Sequence, residues 1–451
     1  MGRPLNSFLF APAHPVGSGA QSQSRNEESL SKSEATHTPD LEDPSALLLP
    51  PWPLALAGLV VICPMYAAIS LALGQDGHFD TFLYHRYVPW AWINGRMDFD
   101  FAPSQVQTYF NPLVELPVYF LREKLSPKES GAVLGAIHGL SAWLLMLISW
   151  AVLHRLPLWH RLLGTVAATA FGVLGVEAMD GIGRANNDSL LSLFPLTALL
   201  LLVSRSSSPT LGIWALAGFL LGFGTGLKMT LVAHAIAFGV LAALAPASWR
   251  RRVINVAVAG FSGVLGVATS GGWWMLEMYQ RFGNPVFPQW NHLFKSPYYS
   301  TKEIETPGLG LNLIDHLLFS YRFTMDPWSI RSLGSDFRFV ACTLAFLVFL
   351  GFWIFHRFGP RRRPVPWTIL APVVFFAVSF FAWQGFFGAC LRYVVSLDFL
   401  AGLILMLITL YTVGNLHRFG AVVYLVLACV IFFQEVDDTR PRRWDWEPKR
   451  F

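Results

Sequence analysis

Charge is what this 451-residue chain has least of: 14% of its residues are charged, against roughly a quarter in a soluble protein. With 54% hydrophobic residues and a mean hydropathy of +0.46, that scarcity excludes a cytosolic enzyme, a disordered scaffold and a nucleic-acid-binding module. Cysteine is scarce as well. Cys63, Cys342, Cys390 and Cys429 show no short spacing and lie mostly in apolar runs, so they form neither a metal knuckle nor a disulfide framework. The twelve histidines never fall in a His-x-x-x-His spacing, which argues against a zinc site. In place of charge the chain has apolar runs, many of them near the ~20 residues that cross a bilayer. This is the composition of a polytopic membrane protein.

Three parts are expected. Residues 1–45 are polar, rich in Ser, Pro, Glu and His, and lack an apolar signal core; they read as a disordered cytoplasmic tail. Residues 46–434 form the membrane domain, an all-α bundle of about eleven spans, and 435–451 a short extracytoplasmic tail. The apolar runs lie near 52–74, 131–153, 162–177, 189–203, 211–227, 229–246, 253–272, 337–356, 366–383, 394–414 and 419–434. If the first span runs outward, the cytoplasmic connections hold Arg155 and Arg161, Arg205, Arg250 to Arg252, Arg357 and Arg361 to Arg363, and Arg418, with no acidic residue among them. Positive charge in short inner loops sets membrane orientation. Much of the net charge of +5 is therefore a topology signal and not a ligand site.

The acids crowd the opposite face, so function is expected there. The first outer segment carries Asp76 and Asp80, then Tyr84, His85 and an aromatic stretch through Trp90 and Trp92 that suits a helix lying flat at the interface. Its bland reading is an interfacial loop with solvated carboxylates. Residues 108–121, broken by Pro112 and Pro117, are too short and interrupted to span; they read as a re-entrant or surface packing element. The next outer connection holds Glu177, Asp180, Arg184 and Asp188, where Asp188 is either the N-cap of the following helix or part of a cleft with Arg184. Lys228, at the end of the glycine-rich run Gly222-Phe-Gly-Thr-Gly226-Leu-Lys228, either snorkels or meets an anion. Arg392 and Tyr393 repeat that situation before a late span, and Arg suits phosphate because its planar fork donates two hydrogen bonds. In the longest outer segment, aromatic residues interleave with Asn291, His292 and Lys295, either as an interface belt or as ring faces and donors for a sugar. Asp98-Phe-Asp100 matches a metal-binding pair only by a common chance spacing.

The order of these segments resembles the GT-C superfamily of membrane glycosyltransferases. The likeness rests on Asp80-Thr-Phe-Leu-Tyr84 with Asn94-Gly95, Arg184-Ala-Asn-Asn-Asp188 leading into a span, the hairpin ending in Lys228, and Arg392-Tyr393. The chain departs from the family by having no large soluble C-terminal domain and no paired acids directly after the first span, Asp76 and Asp80 being four apart. The resemblance implies transfer of a sugar from a polyprenyl-phosphate donor to a glycan, lipid or protein acceptor, on the extracytoplasmic face of a bacterial plasma (inner) membrane. Asp80, or less favourably Asp76, would be the general base. Lys228 and Arg392 would hold the lipid phosphate, with Arg184 assisting; Asp188, Tyr393, Tyr84, His85, Asn291 and Lys295 would complete the substrate site. Members differ on a divalent cation, Mg or Mn, and nothing in this sequence names one. The competing readings are a flippase or transporter for a lipid-linked saccharide, a saccharide polymerase or ligase, and a non-catalytic scaffold.

Overall fold

A computed structural model describes residues 47–205, 208–302, 312–332, 334–359, 364–388, 390–413, 443 and 445–446. The chain divides after Pro44, and all that follows concerns the unit from Ser45 onward. The expected tail at 1–45 and the run at 419–434 lie outside the described residues. Every other apolar run forms a helix.

The first is α1 (Trp52–Leu73), followed by the flat α2 (Tyr87–Ile93) and the short α3 (Leu116–Lys124). Then come α4 (Pro127–Val152), α5 (Leu158–Val173), the single turns α6 (Val176–Asp180) and α7 (Asn187–Leu191), and α8 (Leu193–Val203). The second half contains α9 (Leu211–Leu227), α10 (Val232–Leu244), α11 (Trp249–Val267), α12 (Trp273–Phe282), the one-turn α13 (Asn291–Phe294), α14 (Leu313–Met325), α15 (Phe337–Phe358), α16 (Trp367–Phe387) and α17 (Val395–Val413). No strand forms among the described residues. Among the described residues, six helical stretches are long and apolar enough to cross a membrane: 52–73, 127–152, 249–282, 337–358, 367–387 and 391–412; 187–203, 211–227 and 229–244 are shorter apolar helices. The described residues thus form an all-helical bundle of membrane-protein composition, with six helices of spanning length where about eleven runs were expected.

Burial sorts those helices. The α17 stretch is 83% buried and α4 61%, whereas α1, α11–α12 and α15 are between 17% and 22% buried. The outer helices expose Val60, Val61, Phe261, Val264, Phe355 and other large apolar side chains. In a membrane those faces meet lipid, so the inner helices must be held by packing and polar contacts. The tightest crossing is α9 on α11. Gly218, Gly222 and Gly226 stand four residues apart; Gly218 faces Ala259, Gly222 faces Gly263 and Gly266, Gly226 meets Val267, Ser270 and Gly271, and a methyl on Gly222 would sit 1.9 Å from the Gly263 carbonyl oxygen. Only small residues let two backbones approach that closely. The consequence for function is positional: α9 ends at Lys228, so the crossing fixes where its ammonium sits.

A second anchor is ionic. Arg338 donates to Asp336 (Nη2–Oδ2 2.5 Å), to the Asp398 carboxylate and to the Phe171 carbonyl (2.9 Å), all buried. Asp398 also accepts from the Ala178 N–H at 2.8 Å. The triad ties α15, α17 and the α5–α6 corner together two turns below Arg392. Removing one member of such a cluster typically costs ~3–5 kcal/mol, because the others stay charged and buried.

The connections at one end gather His154, Arg155, Ser208, Pro246 and Pro366 around a small cavity, and Arg161 reaches the Leu48 carbonyl at 2.9 Å. The described connections around Arg155, Ser208, Pro246 and Pro366 thus meet at one end of the bundle.

Candidate functional site

At the acidic end, α1 stops at Gly74 and the chain makes the tight loop 75–80. Asp76 organises that loop. It accepts from Thr81 Oγ1 (2.7 Å), the Ala185 N–H (3.0 Å) and the His78 N–H (3.0 Å), and Arg122 lies 3.7 Å away. Burial alone would raise its carboxyl, but Arg122 and these donors hold it below the usual carboxylate range. With its oxygens committed and only 5% of it exposed, Asp76 anchors the loop.

Asp80 is different. Its carboxylate meets Arg392 Nη2 at 2.5 Å, and both side chains remain partly accessible, at 18% and 17%. The His78 ring stands 3.8 Å from it. Burial pushes the Asp80 carboxyl up; the Arg392 guanidinium more than offsets this and holds it down. Arg392 Nε lies 3.4 Å from Asp188 Oδ2, and Asp188 Oδ1 meets Lys228 Nζ at 2.5 Å. Lys228 also donates to Asn187 Oδ1 (2.8 Å) and sits over the Tyr393 ring, 4.8 Å from its centroid. The alternating circuit Asp80–Arg392–Asp188–Lys228 joins four residues from four separated segments.

The circuit settles two open readings of the sequence. Asp188 is not the N-cap of α7, a place held by Asn186; it is the counter-ion of Lys228. Lys228 does not snorkel, being 10% exposed and paired.

Beyond Lys228 the sequence reading missed a partner. Asn187 Nδ2 donates to Glu115 Oε1 at 2.6 Å, and Glu115 Oε2 meets His85 Nδ1 at 2.8 Å. Glu115 lies in the proline-broken stretch read as mere packing. That stretch does pack, as Asn111 Nδ2 donates to the Gly226 and Ser270 carbonyls, both at 3.0 Å, but it also delivers a buried carboxylate. His85 is buried with Nε2 unpartnered, its ring tilted by 38° against that of Tyr84 at 4.0 Å between centroids. Tyr84 is itself buried, its phenol held far above its ordinary range by that burial.

Lys228 opens onto a cavity of about 500 Å³. Asn187 and Tyr393 share its wall; the rest is mostly apolar and aromatic, including Trp274, Met278, Phe287 and Phe387. Asn291 is on the wall, but its amide closes its own loop, donating to Ser296 O (2.9 Å) and Tyr299 O (2.8 Å). Lys295 is exposed and lies outside that wall. Arg184 is buried, its Nη2 on the Asp180 carboxylate, with Nε and Nη1 unpartnered.

Among the described residues the carboxylates that could meet a divalent cation are already paired. Asp80 and Asp188 are occupied by Arg392 and Lys228, Asp98 and Asp100 by Arg281 and Arg96, and among the described residues no three His, Cys, Asp or Glu side chains converge. A cation site normally gathers unpaired oxygen ligands. No protein-family model, curated protein or solved structure matches the chain.

Proposed function

We propose that the protein is a GT-C-like membrane glycosyltransferase that moves a sugar from a polyprenyl-phosphate donor to an acceptor hydroxyl. One observation carries the reading: Asp80, a partly accessible carboxylate, is bound to Arg392 in a circuit whose far end, Lys228, enters a largely apolar cavity. An amphiphile with an anionic head and a prenyl tail suits a lysine at the mouth of aromatic and aliphatic walls. The fuller topology belongs to this reading: about eleven spans, a cytoplasmic N-terminus, and the acidic end outside the plasma (inner) membrane of a bacterium.

The circuit supports a particular order of events. Both cations are already engaged by carboxylates, so an arriving phosphate must compete with Asp80 for Arg392 and with Asp188 for Lys228. Displacement frees Asp80 beside the phosphate. The freed carboxylate takes the proton of the acceptor hydroxyl, the oxygen bonds to the anomeric carbon, and the anomeric carbon–phosphate oxygen bond breaks. Charge grows on the departing phosphate, and Arg392 and Lys228 stabilise that change more than they stabilise the bound donor.

The test uses purified protein with a polyprenyl-phosphate sugar and candidate acceptors. Release of polyprenyl phosphate with a glycosylated acceptor is expected, and Lys228→Gln should raise the donor KM. Translocation of intact donor across a vesicle bilayer without sugar transfer would make the protein a flippase instead.

A further inference from the structure

A second cluster of cations lies beside the loop 75–80. Arg184 and Arg443 converge on one residue: Arg184 Nη2 meets the Asp180 carboxylate, and Arg443 Nη2 donates to the Asp180 carbonyl at 2.8 Å. Arg122 approaches from α3, 3.7 Å from Asp76. Three arginines thus face two carboxylates, and the nearer oxygens of Asp76 are taken by Thr81, Ala185 and His78. Arg184 is 3% exposed, yet its Nε and Nη1 have no partner, and neither has the buried Nη1 of Arg443. Buried guanidinium N–H groups are rarely left unsatisfied, and two of them are held together only at a cost unless an anion lies between them. The Arg443 guanidinium is pushed down to about 10, by burial first and then by Arg184.

We propose that Arg184 and Arg443 form an oxyanion subsite, distinct from the Lys228–Arg392 circuit, that takes a phosphate or carboxylate group of the acceptor. The planar fork of Arg matches both groups. The subsite stands on this geometry; its assignment to the acceptor rests on the glycosyltransferase reading. Position supports that assignment. Asp76, wrapped by the arginine cluster, and Asp80, bound to Arg392, belong to one short loop, and His78 bridges them, its N–H on Asp76 and its ring 3.8 Å from Asp80. An acceptor anchored at Arg184 and Arg443 lies next to the loop that carries Asp80. The acceptor class is therefore anionic, a phosphorylated or acidic glycan or lipid.

Inorganic phosphate is the probe, titrated calorimetrically into full-length protein in nanodiscs at fixed ionic strength. Two classes of site are expected in the wild type. Arg443→Gln, which keeps an N–H for the Asp180 carbonyl and removes the charge, should weaken one class about ten-fold or more, the scale of one charged hydrogen bond. Arg184→Lys, which keeps the charge and loses the fork, should weaken the same class, and Lys228→Gln the other. Acetate should displace phosphate from the class that Arg443 controls; the tighter of the two anions names the group. Unchanged phosphate binding in both arginine variants would overturn the subsite. If both classes survive Lys228→Gln while one is lost in Arg443→Gln, the subsite stands and the donor reading falls.

Discussion

Replacing Asp80 by Asn should move binding and turnover in opposite directions. Asp80 holds Arg392 at 2.5 Å with both side chains less than one-fifth exposed. A hydrogen bond between charged groups in that setting contributes ~1.5–3 kcal/mol. Asn keeps a neutral acceptor, so about half of that contribution is lost, too little to unfold a protein whose stability is typically ~5–15 kcal/mol. A phosphate that needs Arg392 must first break this contact. Weakening it by ~0.75–1.5 kcal/mol tightens phosphate binding about four- to thirteen-fold. Transfer loses its base, a fall of ~10²–10⁴-fold. The signature is a lower Kd for polyprenyl phosphate together with a collapsed single-turnover rate, a pattern in which ground-state competition and catalysis separate. Because Arg392 holds the Asp80 carboxyl below its ordinary range, the base is ionised throughout the neutral region, and raising the pH from about 5 to 8 rescues nothing. Weaker phosphate binding in Asp80→Asn, or transfer within a few fold of wild type, would refute the exchange of partners at Arg392.

Three further outcomes follow from the same coordinates. Glu115→Gln can still accept from Asn187, but it must then turn its amide N–H toward His85 Nδ1, shifting the ring proton to Nε2; histidine-labelled solid-state NMR, with His85→Gln for assignment, should show the switch, and an unchanged tautomer would disprove the contact. Gly222→Ala places its methyl 1.9 Å from the Gly263 carbonyl oxygen, whereas Gly239→Ala meets nothing within 4 Å; the first should destabilise by ~1–3 kcal/mol or more and the second should be near neutral in thermal unfolding, equal effects arguing against the close crossing. Burial first, then Asp180, pushes the Glu177 carboxyl up to about 8, above the ~4.3 of an unfolded chain. The native state therefore keeps this proton more tightly, and the group's contribution to stability falls as pH rises through that window. The Tm advantage of Glu177→Gln over wild type should grow from pH 5 to pH 8; a gap that does not change with pH would contradict the raised value.

How much of this was legible depended on whether a charge had to be seen alone or as half of a pair. Lys228 and Arg392 stood out because each interrupts apolar sequence, and Asp80 because it follows the first span; the structure brings all three into one circuit across intervals of more than a hundred residues. Asp398 and Arg338 interrupt apolar sequence just as sharply, yet hydropathy reads α15 and α17 as plain spans, since a neutralised buried pair leaves the surrounding run intact. Glu115 was hidden for a related reason. Its two prolines and short apolar flanks describe a packing element correctly, and only the approach of Asn187 and His85 turns that element into the wall of a site. The small-residue spacing at Gly218, Gly222 and Gly226 was visible as glycine richness, but its meaning lies in the facing α11 backbone, which no local pattern contains. Lys295 shows the converse error: a cation among aromatic residues looks like a ligand group in sequence, and in space it points to solvent beyond the cavity. In a membrane protein, then, an ionisable residue in apolar sequence marks a place where charge must be answered. Whether the answer is another residue, as for Arg338, or leaves donors unpaired, as for Arg184, is read by counting the hydrogen-bond groups that stay without a partner after folding.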